Sequence, residues 1–284
     1  MTRSARFAAA AALLFSTGGA AIKVAAFSTP QVSAFRSGIA ALVLVAWYRR
    51  RLTWTRWTLP AALAYAATLT LIVAATRLTT AANAIFLQST APIYLLGLAP
   101  WLLRERVSRR DVAFLLAVAI GLVSCFLGQT GATVTAPAPI LGNLLGVGSA
   151  IAWALTLVAL RHFNRDSGIR AAGEPGLTAV VAGNTVACLV ALPWMLPLPE
   201  ATAAEWGTLV YLGVVQVGLA YVCLTIAMRR LPALEASLLL LLEPVLNPVW
   251  TWLVRDEMPG TWTLAGGAVI LGATALRTWT SRPD

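Results

Sequence analysis

TTAANAIFLQSTAPIYLLGLAPWLLRERVSRRD (residues 79–111) and LPALEASLLLLLEPVLNPVWTWLVRDEMPG (residues 231–260) are one passage written twice, 152 residues apart. Without a gap, Arg77 falls on Arg229, Ala81 on Ala233, Ala84 on Ala236, Leu87 on Leu239, Pro92 on Pro244 and Glu105 on Glu257. The chain is therefore a tandem duplication. If each unit holds an odd number of membrane spans, the second copy enters the bilayer upside down, the architecture of alternating-access carriers.

The surroundings of these passages identify the solvent. Of 284 residues, 59% are hydrophobic and 11% charged, a composition whose surface water could not solvate. The net charge of +10 does not mark a nucleic-acid binder, because the arginines sit in short clusters between apolar runs. Cys125, Cys188 and Cys223 each stand singly in an apolar segment and suggest neither disulfide nor metal site.

Apolar stretches near the 20 residues that cross about 30 Å of hydrocarbon lie at roughly 5–27, 30–48, 58–77, 79–103 and 110–129, then 140–161, 176–197, 204–228, 232–253 and 260–280. In lipid these must be helices, since every backbone amide needs an internal partner. The expected fold is an all-α integral membrane protein of ten transmembrane helices, in two inverted five-helix units at residues 1–129 and 140–284. The arginine-flanked N-terminal run is expected to be the first span rather than a cleaved signal, because its loss would break the repeat. With the N-terminus inside, seventeen arginines fall on the cytoplasmic side, so both termini are expected there. The connections are too short for a folded domain outside the membrane.

The two quoted passages, with Arg36 in AFRSGIAAL and the glycine-rich TLAGGAVILGA, resemble the drug/metabolite transporter superfamily, specifically the ten-span EamA-type transporters. The resemblance covers essentially the whole chain. It implies alternating access across the bacterial inner membrane through a cavity lined by spans 1, 3, 4, 6, 8 and 9. It also implies export of small metabolites, most nearly like the family's exporters of amino acids, aromatic ones included. It implies no cofactor and no partner beyond a small-molecule substrate and the bilayer. A monomer already holds both halves, and a homodimer stays open.

Few ionisable groups lie within the expected spans, and each costs at least about 2.5 kcal/mol there unless paired or hydrated. Lys23 either snorkels to the outer interface or faces the cavity on a stripe with Ser16, Gly19 and Ala20, where it would attract a carboxylate. Arg36 is expected to pair with Glu243 across spans 2 and 9. Glu243, Asn247 and Trp250 share one helix face, expected to line the substrate pathway with Glu243 and Asn247 as binding residues unless Glu243 serves a structural ion pair, with Pro244 loosening the backbone beside them. Gln88, one turn before Pro92, carries donors and acceptors for an ammonium or a carboxylate, or for another helix. Ser149, Trp153 and Thr156 form a stripe on the sixth span, and Tyr65, Thr68, Ile72 and Thr76 one on the third. Lys23 and Gln88 are expected at the polar end of a substrate, Trp153 and Tyr94 at its apolar end. Trp47, Trp54, Trp57, Trp194, Trp206, Trp262 and Trp279 fall near span ends and suggest an interfacial belt.

Enzyme chemistry finds no support: HExxH, GxSxG and paired aspartates on one span are all absent. Two other readings stay open beside amino-acid export. One is proton-coupled efflux of lipophilic cations, with Glu243 or Glu235 titrating. The other is a channel or a non-transporting membrane subunit.

Overall fold

The computed structural model describes residues 3–103, 109–127, 134, 136–165, 173–256 and 260–280. Glu105 and Glu257, matched in the duplication, lie outside these. Among the described residues the chain is helical without a β-strand. The helices are α1 (Arg3–Ser16), α2 (Gly18–Val24), α3 (Thr29–Tyr48), α4 (Thr58–Leu78), α5 (Ala81–Gln88), α6 (Ala91–Leu98), α7 (Arg109–Leu127) and α8 (Pro139–Arg165). They continue as α9 (Pro175–Ala191), α10 (Ala203–Tyr211), α11 (Ala220–Ala227), α12 (Ala233–Leu239), α13 (Leu242–Arg255) and α14 (Thr261–Thr280). A π-helical segment, Leu212–Leu219, joins α10 to α11, and another, Ala99–Leu103, follows α6.

Seven helical stretches among the described residues are long and apolar enough to cross a membrane: Arg3–Val24, Thr29–Tyr48, Thr58–Leu78, Pro139–Asn164, Pro175–Trp194, Ala203–Ala227 and Glu235–Val254. Each overlays an expected span. The other three expected spans are also helical, as α5–α6, α7 and α14. Leucines and isoleucines such as Leu42, Leu63, Leu116, Ile120, Ile140, Leu144 and Leu253 stand exposed on the outer surface, an apolar coat that only lipid would cover. Trp47, Trp54, Trp57, Trp194 and Trp262 are exposed as expected of a belt. Trp206 is half-buried and packs edge-on against Phe27 and Phe35, each at 4.9 Å between ring centroids. The Trp279 side chain is outside the described set.

Proline chemistry sets two of the helix breaks. Pro92 has no N–H to offer the Gln88 carbonyl, so the ladder stops there and restarts with Ile93 N–H donating to Thr90 O at 2.8 Å. Pro244 does the same to Leu240, and Glu243 N–H donates instead to Leu240 O at 2.9 Å. Both breaks occupy the same place in the duplicated passage.

The break between α1 and α2 has another cause. Ser16 and Thr17 hydroxyls donate back to Leu13 O and Leu14 O at 2.7 and 2.9 Å, competing with the backbone ladder ahead of Gly18 and Gly19. Asn247 of α13 then donates its Nδ2–H to Ser16 O at 2.9 Å, and Trp250 Nε1–H reaches Ser16 Oγ at 3.0 Å. Glycine at 19 is what lets α13 come so close, since a Cβ there would sit 2.4 Å from Asn247 Oδ1. An Asn247→Ala variant is therefore expected to lose about 1 kcal/mol, by stranding a buried carbonyl. A lower melting temperature in detergent is the check, and an unchanged one would remove Asn247 from this role.

Packing relates helices across the duplication. Helix α4 packs on α8, and α1 on α11; α5 and α6 pack on α8, and α1 and α2 on α13; α4 packs on α9, and α3 on the π-helical segment. In each of these pairings the second follows from the first when every expected span is exchanged for its repeat counterpart. Contacts between α3 and α9, α7 and α14, and α5 and α13 map onto themselves.

Candidate functional site

A cavity sits where the broken helices meet. It is lined from α1 and α2 by Phe15, Gly18, Gly19 and Ile22, from α3 by Arg36, and from α4 by Leu69 and Ile72. Ile85 and Gln88 of α5, Trp153 of α8, Gln216 and Val217 of the π-helical segment, Tyr221 of α11 and Glu243 of α13 complete the wall. It gives water-sized molecules about 40 Å³ for their centres, enough for about three waters at roughly 10–15 Å³ each. A second void of about 10 Å³ adjoins it at the two proline breaks, lined by Gln88, Ser89, Ala91, Pro92, Ser237, Leu240, Leu241, Trp153 and Glu243. Gln88, Trp153 and Glu243 border both.

Three aromatic rings make one wall. Phe15 and Trp153 meet edge to face at 6.3 Å, Phe15 and Tyr221 at 5.0 Å, and Trp153 and Tyr221 at 5.9 Å. Tyr65 backs Tyr221 at 4.6 Å and accepts a hydrogen bond from Asn184 Nδ2 at 2.9 Å. Such T-shaped contacts hold each ring by its neighbour.

Of the expected residues, Gln88, Trp153, Glu243 and Arg36 come together at the cavity, and Pro92 lines the smaller void. Pro244 is buried beside Glu243 and sets the α12–α13 break. The ion pair expected between Arg36 and Glu243 is not formed; Arg229 pairs instead with Glu174, away from the cavity. Asn247 holds Ser16, and Tyr94 packs half-buried against the main core, so neither lines the cavity.

Lys23 is neither snorkelling nor at the cavity. It is 6% exposed, and its ammonium donates to Thr79 O, the end of α4, at 3.0 Å. Arg77, in the last turn of α4, donates through Nη2 to Ala25 O and Phe27 O just beyond α2, both at 2.8 Å. Each helix thus supplies the cation that neutralises the carbonyl end of the other.

The polar stripes on α4 and α8 mostly face each other. Ser149 Oγ donates to Thr68 O at 3.1 Å, and Thr68 and Thr156 hydroxyls meet at 3.3 Å, leaving Ile72 and Trp153 to the cavity. Sequence reasoning missed Phe15, Gln216 and Tyr221. Gln216 carried a legible signal, a lone amide in VYLGVVQVGLAYV with glycine on either side.

Comparison with known proteins agrees with this architecture. A curated pseudopaline exporter, CntI, from Pseudomonas aeruginosa strain UCBPP-PA14 is 28% identical over 196 residues, covering 68% of this chain and 64% of the relative. Its counterpart from strain PAO1 matches to the same extent. The chain thus spans a little under two thirds of the length of these relatives. A protein crystal structure superimposes with a TM-score of 0.72 at 21% identity, over 98% of this chain and 97% of the other, which shows a shared fold. The sequence model of the EamA-like transporter family matches residues 3–127 and again 140–279, so this multi-pass membrane protein belongs to the EamA-like transporter family, a family of transporters and not of enzymes.

Proposed function

We propose that the chain is an alternating-access exporter of small metabolites, amino acids and foremost aromatic ones, in the bacterial inner membrane. In this reading ten spans form two inverted five-helix units, residues 1–129 and 140–284, with both termini in the cytoplasm. The observation that carries it is the central cavity, walled by helices of both units and flanked by helix breaks on both sides of the duplication. A carrier needs a site between two halves that can rock about it, and broken helices supply the irregular backbone such a site uses. The Phe15–Trp153–Tyr221 wall supports an aromatic side chain in the substrate. A relative that exports pseudopaline supports the outward direction.

A second reading, proton-coupled efflux of lipophilic cations, is favoured by the Glu243 carboxylate at the cavity. Counterflow into proteoliposomes holding only this protein separates the two. Labelled phenylalanine is expected to accumulate saturably against an amino-acid load, while labelled tetraphenylphosphonium does not. Accumulation of the phosphonium alone would reverse the assignment, and flux without saturation would indicate a channel.

A further inference from the structure

The cavity contains polar groups that the protein brings together and does not pair. Arg36 is 2% exposed, lines the cavity, and has no acceptor for its Nε–H. Gln216 is 7% exposed, and its Oε1 has no donor. Its amide lies close against Gly18, where a Cβ would stand 2.6 Å from Gln216 Nε2. Gln88 donates Nε2–H to Ser149 Oγ at 2.8 Å, which orients its amide and leaves the carbonyl oxygen without a donor among the described residues. Glu243 borders the same space and makes no ion pair with Arg36.

A guanidinium and a carboxylate taken out of water cost several kcal/mol each, repaid only by a well-placed opposite charge. Here each faces a shared space too small for anything but a few waters. A ligand with one negative and one positive end would satisfy both charges and both amide oxygens at once. Neither a simple cation nor a simple anion would do so, since each leaves one buried charge unanswered.

We propose that the cavity is a two-ended site for a zwitterion: Arg36 receives the substrate's carboxylate, while Glu243 and the carbonyl oxygens of Gln88 and Gln216 receive its ammonium. This rests on the reading of the central cavity as the transport site, and adds that both charges of the substrate are required. The aromatic wall of Phe15, Trp153 and Tyr221 receives the side chain. Ligand sites that enclose small molecules measure about 300 Å³ or more, so binding also requires the walls to part.

The test uses three probes of one shape: phenylalanine, phenethylamine without the carboxylate, and 3-phenylpropionate without the ammonium. Their transport by the full chain is measured in proteoliposomes. The wild type is expected to move phenylalanine and to take each single-charged probe at least about 100-fold less efficiently, the discrimination of a site whose polar groups would be left unpaired. Arg36→Met is expected to shift preference toward phenethylamine, and Glu243→Gln toward 3-phenylpropionate. A gain for a poor substrate cannot come from misfolding. Arg36→Lys, which keeps the charge, should preserve the wild-type order.

If the wild type moves phenylalanine but both variants keep the wild-type order of the three probes, the two-ended site is overturned and the amino-acid exporter stands. If the wild type moves phenethylamine as well as phenylalanine, the carboxylate requirement is overturned. If it moves tetraphenylphosphonium and no zwitterion, both the site and the transport reading fall.

Discussion

Gly213→Leu is expected to give almost no monodisperse protein in detergent under conditions where the wild type is stable. Gly213 lies in the π-helical segment against α3, where a Cβ would stand 2.7 Å from Ile39 Cβ and Cγ2 and 2.9 Å from Arg36 O. A backbone carbonyl cannot swing aside as a side-chain tip can, so α3 itself would have to retreat. Overpacking costs about 1–3 kcal/mol where the core can yield, and more where it cannot. The same displacement would draw Arg36 away from Gln216 and Glu243, so any protein that folds should transport poorly. Gly213→Ala should fall between the two. Fluorescence-detected size exclusion and thermal unfolding read the result. A Gly213→Leu protein with wild-type stability would show that the close approach of α3 to this segment is not structural.

The second large effect concerns motion. In a Pro92→Ala, Pro244→Ala double variant, each alanine regains an N–H that can bond to Gln88 O or Leu240 O, healing the breaks between α5 and α6 and between α12 and α13. A restored helix gains about 0.5–1.5 kcal/mol for each such bond, and that amount must be returned whenever the helix bends during the cycle. Turnover is expected to fall by at least about tenfold. The melting temperature should stay level or rise. Loss of activity with rising stability would separate a hinge from a packing role, and full activity would show that the breaks are passive.

Much of this molecule can be read from local pattern. The proline breaks follow from covalent chemistry, because a missing N–H acts on the carbonyl four residues back in the same chain. The helical stretches follow from run length, and the matched packing of helices follows the duplicated passage. The cavity wall of the first helices was less legible. The polar stripe Ser16, Gly19, Ala20 and Lys23 suggested the inward face, yet Phe15, Gly18, Gly19 and Ile22 line the cavity. The two faces lie one residue apart. Lipid makes polarity the expected mark of a helix's inward face, the reverse of water, yet here the cavity wall is largely apolar while the lysine is satisfied elsewhere by a carbonyl.

What the sequence by itself determined is the solvent, the helical stretches, the duplication and the two proline breaks, all consequences of composition and of bonds within a few residues. Only the tertiary structure decided how the polar side chains divide into paired and unpaired. Asn247 finds Ser16 across 231 residues, Gln88 finds Ser149 across 61 and Lys23 finds Thr79 across 56, while Arg36 and Glu243 share a cavity without meeting. Periodicity gives the direction of a side chain about its own axis. Whether a partner waits there depends on how two helices cross, and that is fixed by small residues such as Gly19 and Gly213, which set how closely the backbones approach.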